Sequence, residues 1–333
     1  MHSIKIWSLA FTVAASGLLI GSCSGSEDEP TVPEETGTPM TFNAVESESR
    51  AAVSAAGFNA TGTEIKVWGV YYNPEKPGYF NLFDGTTVKR EETGWTYSPQ
   101  RYWMPGYTYD FRALYPANLS ASAKVEYVKG NGATSHIKID GFTADGTDLM
   151  VASERRIALA DNDKSLAAVD LRFRHILSRV TFIAKTDDTE PFKILGFRIK
   201  NVAASGNWDG STYKADGSDY GKWTPGESNG SYTAAIPSGG LSVGNTPVRL
   251  FDGDNIILAV PQPFESLAIE IEYSYPDDAR IHSAAAQLSG TWLPGKSYSY
   301  SFTINPQILF EAPVVDDWSS ESVNSPDFDV KLP

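Results

Sequence analysis

Cys23 is the residue whose chemistry is best defined by its position, and it is the single cysteine of a 333-residue chain. It follows an apolar run from Ser8 to Ser22, preceded by a short start containing Lys5, and it closes the box Ile20-Gly21-Ser22-Cys23. A basic start, an apolar stretch, small residues and then a thiol is the order of a secretory signal ending in a lipoprotein cleavage site. The run falls short of the roughly 20 residues that span a bilayer, which leaves an uncut anchor helix as the weaker alternative. The expected chemistry is acylation of the Cys23 thiol and of the new amino terminus, palmitate included. Several acyl chains on one residue suffice for stable anchoring. The acidic run Glu27-Asp28-Glu29 just beyond suits an export signal to the outer face of the outer membrane, with a plain solvated tether as the alternative.

Other patterns name a chemistry that their surroundings do not support. Gly290 to Ser297 fits the phosphate-loop spacing GxxxxGK[ST]. That loop needs a helix after it to meet the phosphate, whereas Tyr298, Tyr300 and Phe302 continue with period two, so Pro294-Gly295 reads as a hairpin turn. Gly226 to Gly230 and Gly240 to Gly244 both fit GxSxG, but they sit in glycine-, serine- and proline-rich loops with no strand-to-helix elbow. Beyond Cys23 the histidines are His136, His175 and His282, too scattered for a zinc site. Asp161-Asn162-Asp163 and Asp252-Gly253-Asp254 have the oxygens for calcium but also the composition of ordinary turns. His175 falls on the apolar face of its strand beside Phe173 and Leu177 and is expected to be a hydrogen-bonded core histidine. The pairs Asp277-Asp278 and Asp316-Asp317 are adjacent in sequence, so in strands they point to opposite faces. No catalytic constellation and no cofactor site emerges, and the chain is read as a non-enzyme.

Positioning falls to strands. Aromatics make up 12% of the chain, with 28 Gly and 20 Pro, which favours many strands joined by turns. The net charge of −14 offers no basic stripe for phosphates, so nucleic acid is excluded as a partner. Strand signals include Thr41–Val45, Ile65–Tyr72, the alternation Tyr107, Tyr109, Phe111, Ala113, Tyr115, and another at Val169, Leu171, Phe173, His175. Val180, Phe182 and Ala184 follow, then Ile256–Val260, Leu267–Tyr275 and Tyr298–Ile304. Glu46 to Arg50 reads as a polar loop and residues 203–230 as glycine-rich loops. The fold expected is mostly β, with two antiparallel β-sandwich domains in tandem. The divisions are residues 1–22 signal peptide, 23–39 disordered acidic tether, 40–165 N-terminal domain and 166–333 C-terminal domain.

An ordered set of segments resembles the fimbrillin family, the surface pilin lipoproteins of anaerobic Gram-negative bacteria. The set comprises the lipoprotein box and acidic tail, Met40-Thr-Phe-Asn-Ala44 ahead of Arg50-Ala51, and Trp95-Thr-Tyr-Ser-Pro99 with Arg101-Tyr-Trp103. Phe111-Arg-Ala-Leu-Tyr-Pro116, the run from Val169 to Val180, Leu293-Pro-Gly-Lys-Ser-Tyr298 and Val314-Val-Asp-Asp-Trp318 complete it. The resemblance implies transthyretin-like sandwiches, an outer-membrane location and assembly with other fimbrial subunits. It further implies cleavage by an arginine-specific protease, loss of an early strand, and filling of the vacated groove by a strand of the next subunit. Arg50, with Ala51 as the new start, is the processing candidate, although it also reads as an ordinary exposed arginine; Arg155-Arg156 is a competing site. Phe328, Val330 and Leu332 alternate as a donor strand would, with a local edge strand as the alternative. Host or bacterial surface ligands are further possible partners. A surface glycan-binding lipoprotein is the runner-up, in which Trp95, Trp103, Trp208 and Trp223 stack on sugar rings.

Overall fold

The computed structural model describes residues 37–46, 55–130, 134–157, 168–186, 191–244, 246–251, 255–305 and 307–318. Cys23, Arg50, Ala51, Phe328, Val330 and Leu332 lie outside the described residues, as do Asp161–Asp163 and Asp252–Asp254.

The chain is nearly all strand, as its period-two patterns require. One sheet closes on itself in the order β1 (Phe42–Glu46), β4 (Gly94–Thr96), β3 (Phe80–Glu91), β2 (Glu64–Tyr72), β5 (Thr108–Tyr115), β8 (Met150–Ile157), β9 (Val169–His175). Its interior holds Phe42, Val67, Phe83, Phe111, Leu171 and Phe173, joined by Phe58 from the short helix α1 (Ala55–Phe58). All its pairings are antiparallel except β1 with β9.

A second sheet of four strands joins residues from both halves of the sequence. Its order is β13 (Lys222–Pro225), β12 (Ser205–Asp209), β7 (His136–Thr143), β6 (Lys124–Val128). The hairpin of β12 and β13 lies within the segment read as glycine-rich loops. It is a strand pair because Trp208 and Trp223 face each other in register, which no local alternation announces. This sheet covers the outer face of the closed one, where Trp68, Leu114 and Val151 meet Ile139, Phe142 and Trp208. That covering explains why β5 is buried on both faces rather than on the aromatic face alone. Arg112, expected on a polar face, is instead enclosed; its Nε donates to the Ser135 carbonyl at 3.0 Å.

The remaining strands form two further sheets. One contains β10 (Ser178–Lys185), paired with β16 (Val248–Arg249), β17 (Ile257–Ala259) and, in parallel, β20 (Lys296–Asn305); β20 also carries β21 (Gln307–Phe310) and β22 (Val314–Asp317). The other orders β14 (Gly230–Thr233), β11 (Phe192–Val202), β18 (Gln262–Tyr275) and β19 (Asp278–Trp292), with β15 (Leu241–Val243) beside β11. Phe182, Phe197, Ile269 and Phe302 fill the space between them. β18 alternates as its sequence predicts, Ile269 and Ile271 inward and Glu270 and Glu272 outward. β19 gives no such signal because its inward residues include Ala284 and Ala286; pairing with β18 makes it a strand.

The phosphate-loop spacing is a turn, but not the hairpin expected: β19 pairs with β18 in one sheet and β20 with β10 in the other, so Pro294-Gly295 carries the chain from sheet to sheet. β19 ends at Trp292, Gly295 turns with φ +69°, and β20 starts at Lys296. A glycine is needed there because the left-handed region penalises a Cβ.

Candidate assembly site at the first strand

β1 is five residues long and alternates strictly. Phe42, Ala44 and Glu46 point inward; Asn43 and Val45 point out. It runs parallel to β9 from Phe42 opposite Val169 to Glu46 opposite Phe173. On its other side it shares a single registered pair with β4, Phe42 with Trp95. The strand is therefore held mainly from one side by its backbone and from beneath by its side chains. Phe42 is 3% exposed and meets Phe83, Tyr97 and Phe111 edge-on at 5.5, 5.5 and 6.0 Å. Just before the strand, the Met40 carbonyl accepts from the Tyr97 hydroxyl and from Gln100 Nε2. On the outer face, Asn43 Nδ2 donates to Asp170 Oδ1, and Val45 is 43% exposed over a groove of about 520 Å³ that Arg90 and Arg172 also line.

Glu46 is not part of a polar loop. It is the last inward residue of β1, and its buried carboxylate meets His175. His175 Nε2 lies 2.9 Å from Glu46 Oε1, and Nδ1 lies 3.0 Å from Asp148 Oδ1. The imidazole is fully buried, and the indole of Trp318 stacks on it with centroids 4.2 Å apart and planes 3° apart. Burial disfavours the charged ring, but Asp148 and then Glu46 outweigh it and push the His175 pKa up to about 9. The ring is thus an imidazolium near neutral pH and donates from both nitrogens. The second oxygens, Glu46 Oε2 and Asp148 Oδ2, find no hydrogen-bond partner among the described residues. Burial, then Asp148 and Glu46, also raise the pKa of the nearby Tyr115 hydroxyl.

His175 is the hydrogen-bonded core histidine its position predicts. Its partners are not legible from the sequence, although a polar ring on an apolar face does imply hydrogen-bond partners nearby. The cluster joins the first strand, the segment ahead of β8, the end of β9 and the residue after β22. The Trp318 amide donates to the Gly295 carbonyl at 3.0 Å, and the Gly295 amide donates to the Leu177 carbonyl at 2.9 Å. The Leu-Pro-Gly-Lys turn therefore holds the tryptophan over the histidine.

The tryptophans proposed for sugar stacking are spent elsewhere. Trp95, Trp103 and Trp208 are buried, and Trp223, half-buried, donates from Nε1 to the Ile176 carbonyl at 2.6 Å. Among the described residues no group of three or more His, Cys, Asp or Glu is arranged to hold a metal. The competing cleavage residues Arg155 and Arg156 lie within β8, laddered to Asp110 and Tyr109 of β5. A protease must extract such a strand before it can bind it extended.

The fimbrillin-like family model matches residues 49–318. No curated protein matches. Solved structures similar to this chain include a candidate cell adhesion protein from Bacteroides ovatus, at 15% identity and a TM-score of 0.49, covering 86% of this chain and 99% of that one. A fimbrial protein from Bacteroides ovatus is 12% identical with a TM-score of 0.40, covering 82% of this chain and 50% of that one. The fimbrial anchor protein Mfa2 from Porphyromonas gingivalis is 12% identical with a TM-score of 0.36, covering 84% and 97%. With most of its length matched by that one family model, the chain belongs to the fimbrillin-like family.

Proposed function

We propose that this chain is a surface-exposed outer-membrane lipoprotein that serves as a structural or accessory subunit of fimbriae and supports cell adhesion. It reaches the surface acylated at Cys23. An arginine-specific protease then cuts after Arg50, β1 leaves, and a strand of another subunit takes its place. The tail residues Phe328, Val330 and Leu332 serve as a donor strand to a neighbour. Residues 40–165 and 166–333 act as two units, joined by β9, which closes the first unit's barrel, and by the four-stranded sheet.

The observation that carries this reading is the seating of β1. It is short, has one registered pair with β4, buries Phe42 and Ala44, and ends four residues before Arg50. Its departure would uncover apolar pockets, and burying a Phe-sized side chain is worth about 2–3 kcal/mol. A replacement strand would gain that burial together with the β9 ladder.

The test is amino-terminal sequencing of the surface-bound protein, with Arg50→Ala alongside. The expected start is Ala51 in the wild type and acylated Cys23 in the variant, which forms no polymer. Polymers of Arg50→Ala at wild-type yield would overturn the proposal.

A further inference from the structure

Loss of β1 removes more than an apolar filling. It takes away Glu46, whose carboxylate meets His175 Nε2. Asp148 remains on Nδ1 and Trp318 remains against the ring face, so the imidazole keeps its orientation with Nε2 aimed into the vacated groove. At the other end of that groove is the pocket of Phe42. Between them is the place of Ala44, 2% exposed, where the space admits a methyl group.

We infer that the groove left by β1 is selective for a strand of another chain in which a large apolar residue, a small residue and a carboxylate follow one another at every second position. This rests on the strand-exchange reading above. The physical ground is the buried nitrogen. A carboxylate there restores a charge-assisted hydrogen bond in a site closed to water, whereas an aliphatic side chain leaves a buried polar atom unpaired. The pairing also selects direction, because β1 must run parallel to β9 to bring Glu46 from its place opposite Phe173 within reach of His175.

In its Phe328 register the chain's own tail does not meet this requirement. With Phe328 seated where Phe42 was, Val330 takes the place of Ala44 and Leu332 faces His175 Nε2. The groove therefore rejects that register of a second copy of this chain and accepts an acidic partner strand.

The test uses the full chain cut after Arg50, with β1 still in place, challenged by fluorescent peptides. One spans residues 37–50, a second carries Glu46→Leu in that sequence, and a third spans residues 326–333. Anisotropy reports uptake and competition. The first peptide is expected to bind, with the Glu46→Leu peptide and the tail peptide at least roughly tenfold weaker. In a His175→Leu protein the Glu46 preference is expected to vanish. Equal binding of the first two peptides to the wild-type protein overturns the inference while leaving strand exchange standing. A Glu46 preference undiminished in His175→Leu assigns the selectivity to another group and also overturns it. If no peptide is taken up, the strand-exchange reading itself fails and the inference falls with it. The comparison of peptides on the wild-type protein stands even if His175→Leu does not fold.

Discussion

Raising the pH should loosen the barrel through His175. The ring is charged in the folded protein with a pKa of about 9, against 6.5 when unperturbed. A group whose pKa rises on folding holds its proton more tightly in the native state. Its stabilisation is therefore complete below about pH 6.5 and is lost as the pH climbs through about 9. The difference corresponds to about 3 kcal/mol, and full burial of the ring means no solvent screening reduces it. The charged groups at the ring are Glu46 from β1 and Asp148 ahead of β8; the Tyr115 hydroxyl from β5 is near those two carboxylates, and the Trp318 indole carries no charge. Tyr115 titrates above its ordinary value of 10 and so stays neutral throughout that interval. The assay is urea unfolding followed by tryptophan fluorescence at pH 6, 7.5 and 9, for wild type and for His175→Gln. The wild type should lose about 3 kcal/mol across the series relative to the variant. Parallel curves for the two proteins, or a wild type that gains on the variant as pH rises, would refute the assignment of a buried imidazolium. Nitrogen chemical shifts of the imidazole supply a direct check, since both nitrogens should remain protonated at pH 7.5.

Phe42→Ala empties the pocket at the start of β1, where three rings meet, and should cost about 3–5 kcal/mol in chemical denaturation. A cost under about 1 kcal/mol would show that β1 is not part of the packed core. Cys23→Ala should move the protein out of the detergent phase on phase partitioning and abolish labelling by a palmitate analogue; retention in that phase would disprove the lipid anchor.

Much of the fold was legible because sheets write their burial into the sequence with period two. β5, β9, β10, β18 and β20 fall on runs where apolar and polar residues alternate, while β2 falls on the apolar run Ile65–Tyr72 and β1 on the short run Thr41–Val45. β12, β13 and β19 were not legible because what defines them is a partner. Trp208 finds Trp223 across a turn of glycines and aspartates, and the inward alanines of β19 carry too little apolar contrast to stand out. Glu46 was misread for a related reason. A glutamate followed by Ser47, Glu48 and Ser49 looks like the start of a loop, whereas its own position continues the inward rhythm of Phe42 and Ala44.

From the residues alone came the strand content, the inward place of His175, the turn at Pro294-Gly295 and the ordered motifs of the fimbrillin-like family. Packing in three dimensions settled which charges answer that histidine. Glu46 lies 129 residues away in sequence and Asp148 lies 27 away, and nothing local in either neighbourhood points to the other. A buried ionisable ring obliges a partner to exist, through the cost of leaving it bare. Which partner it receives depends on how distant strands close into a barrel, and that closure is a property of the whole chain rather than of any segment.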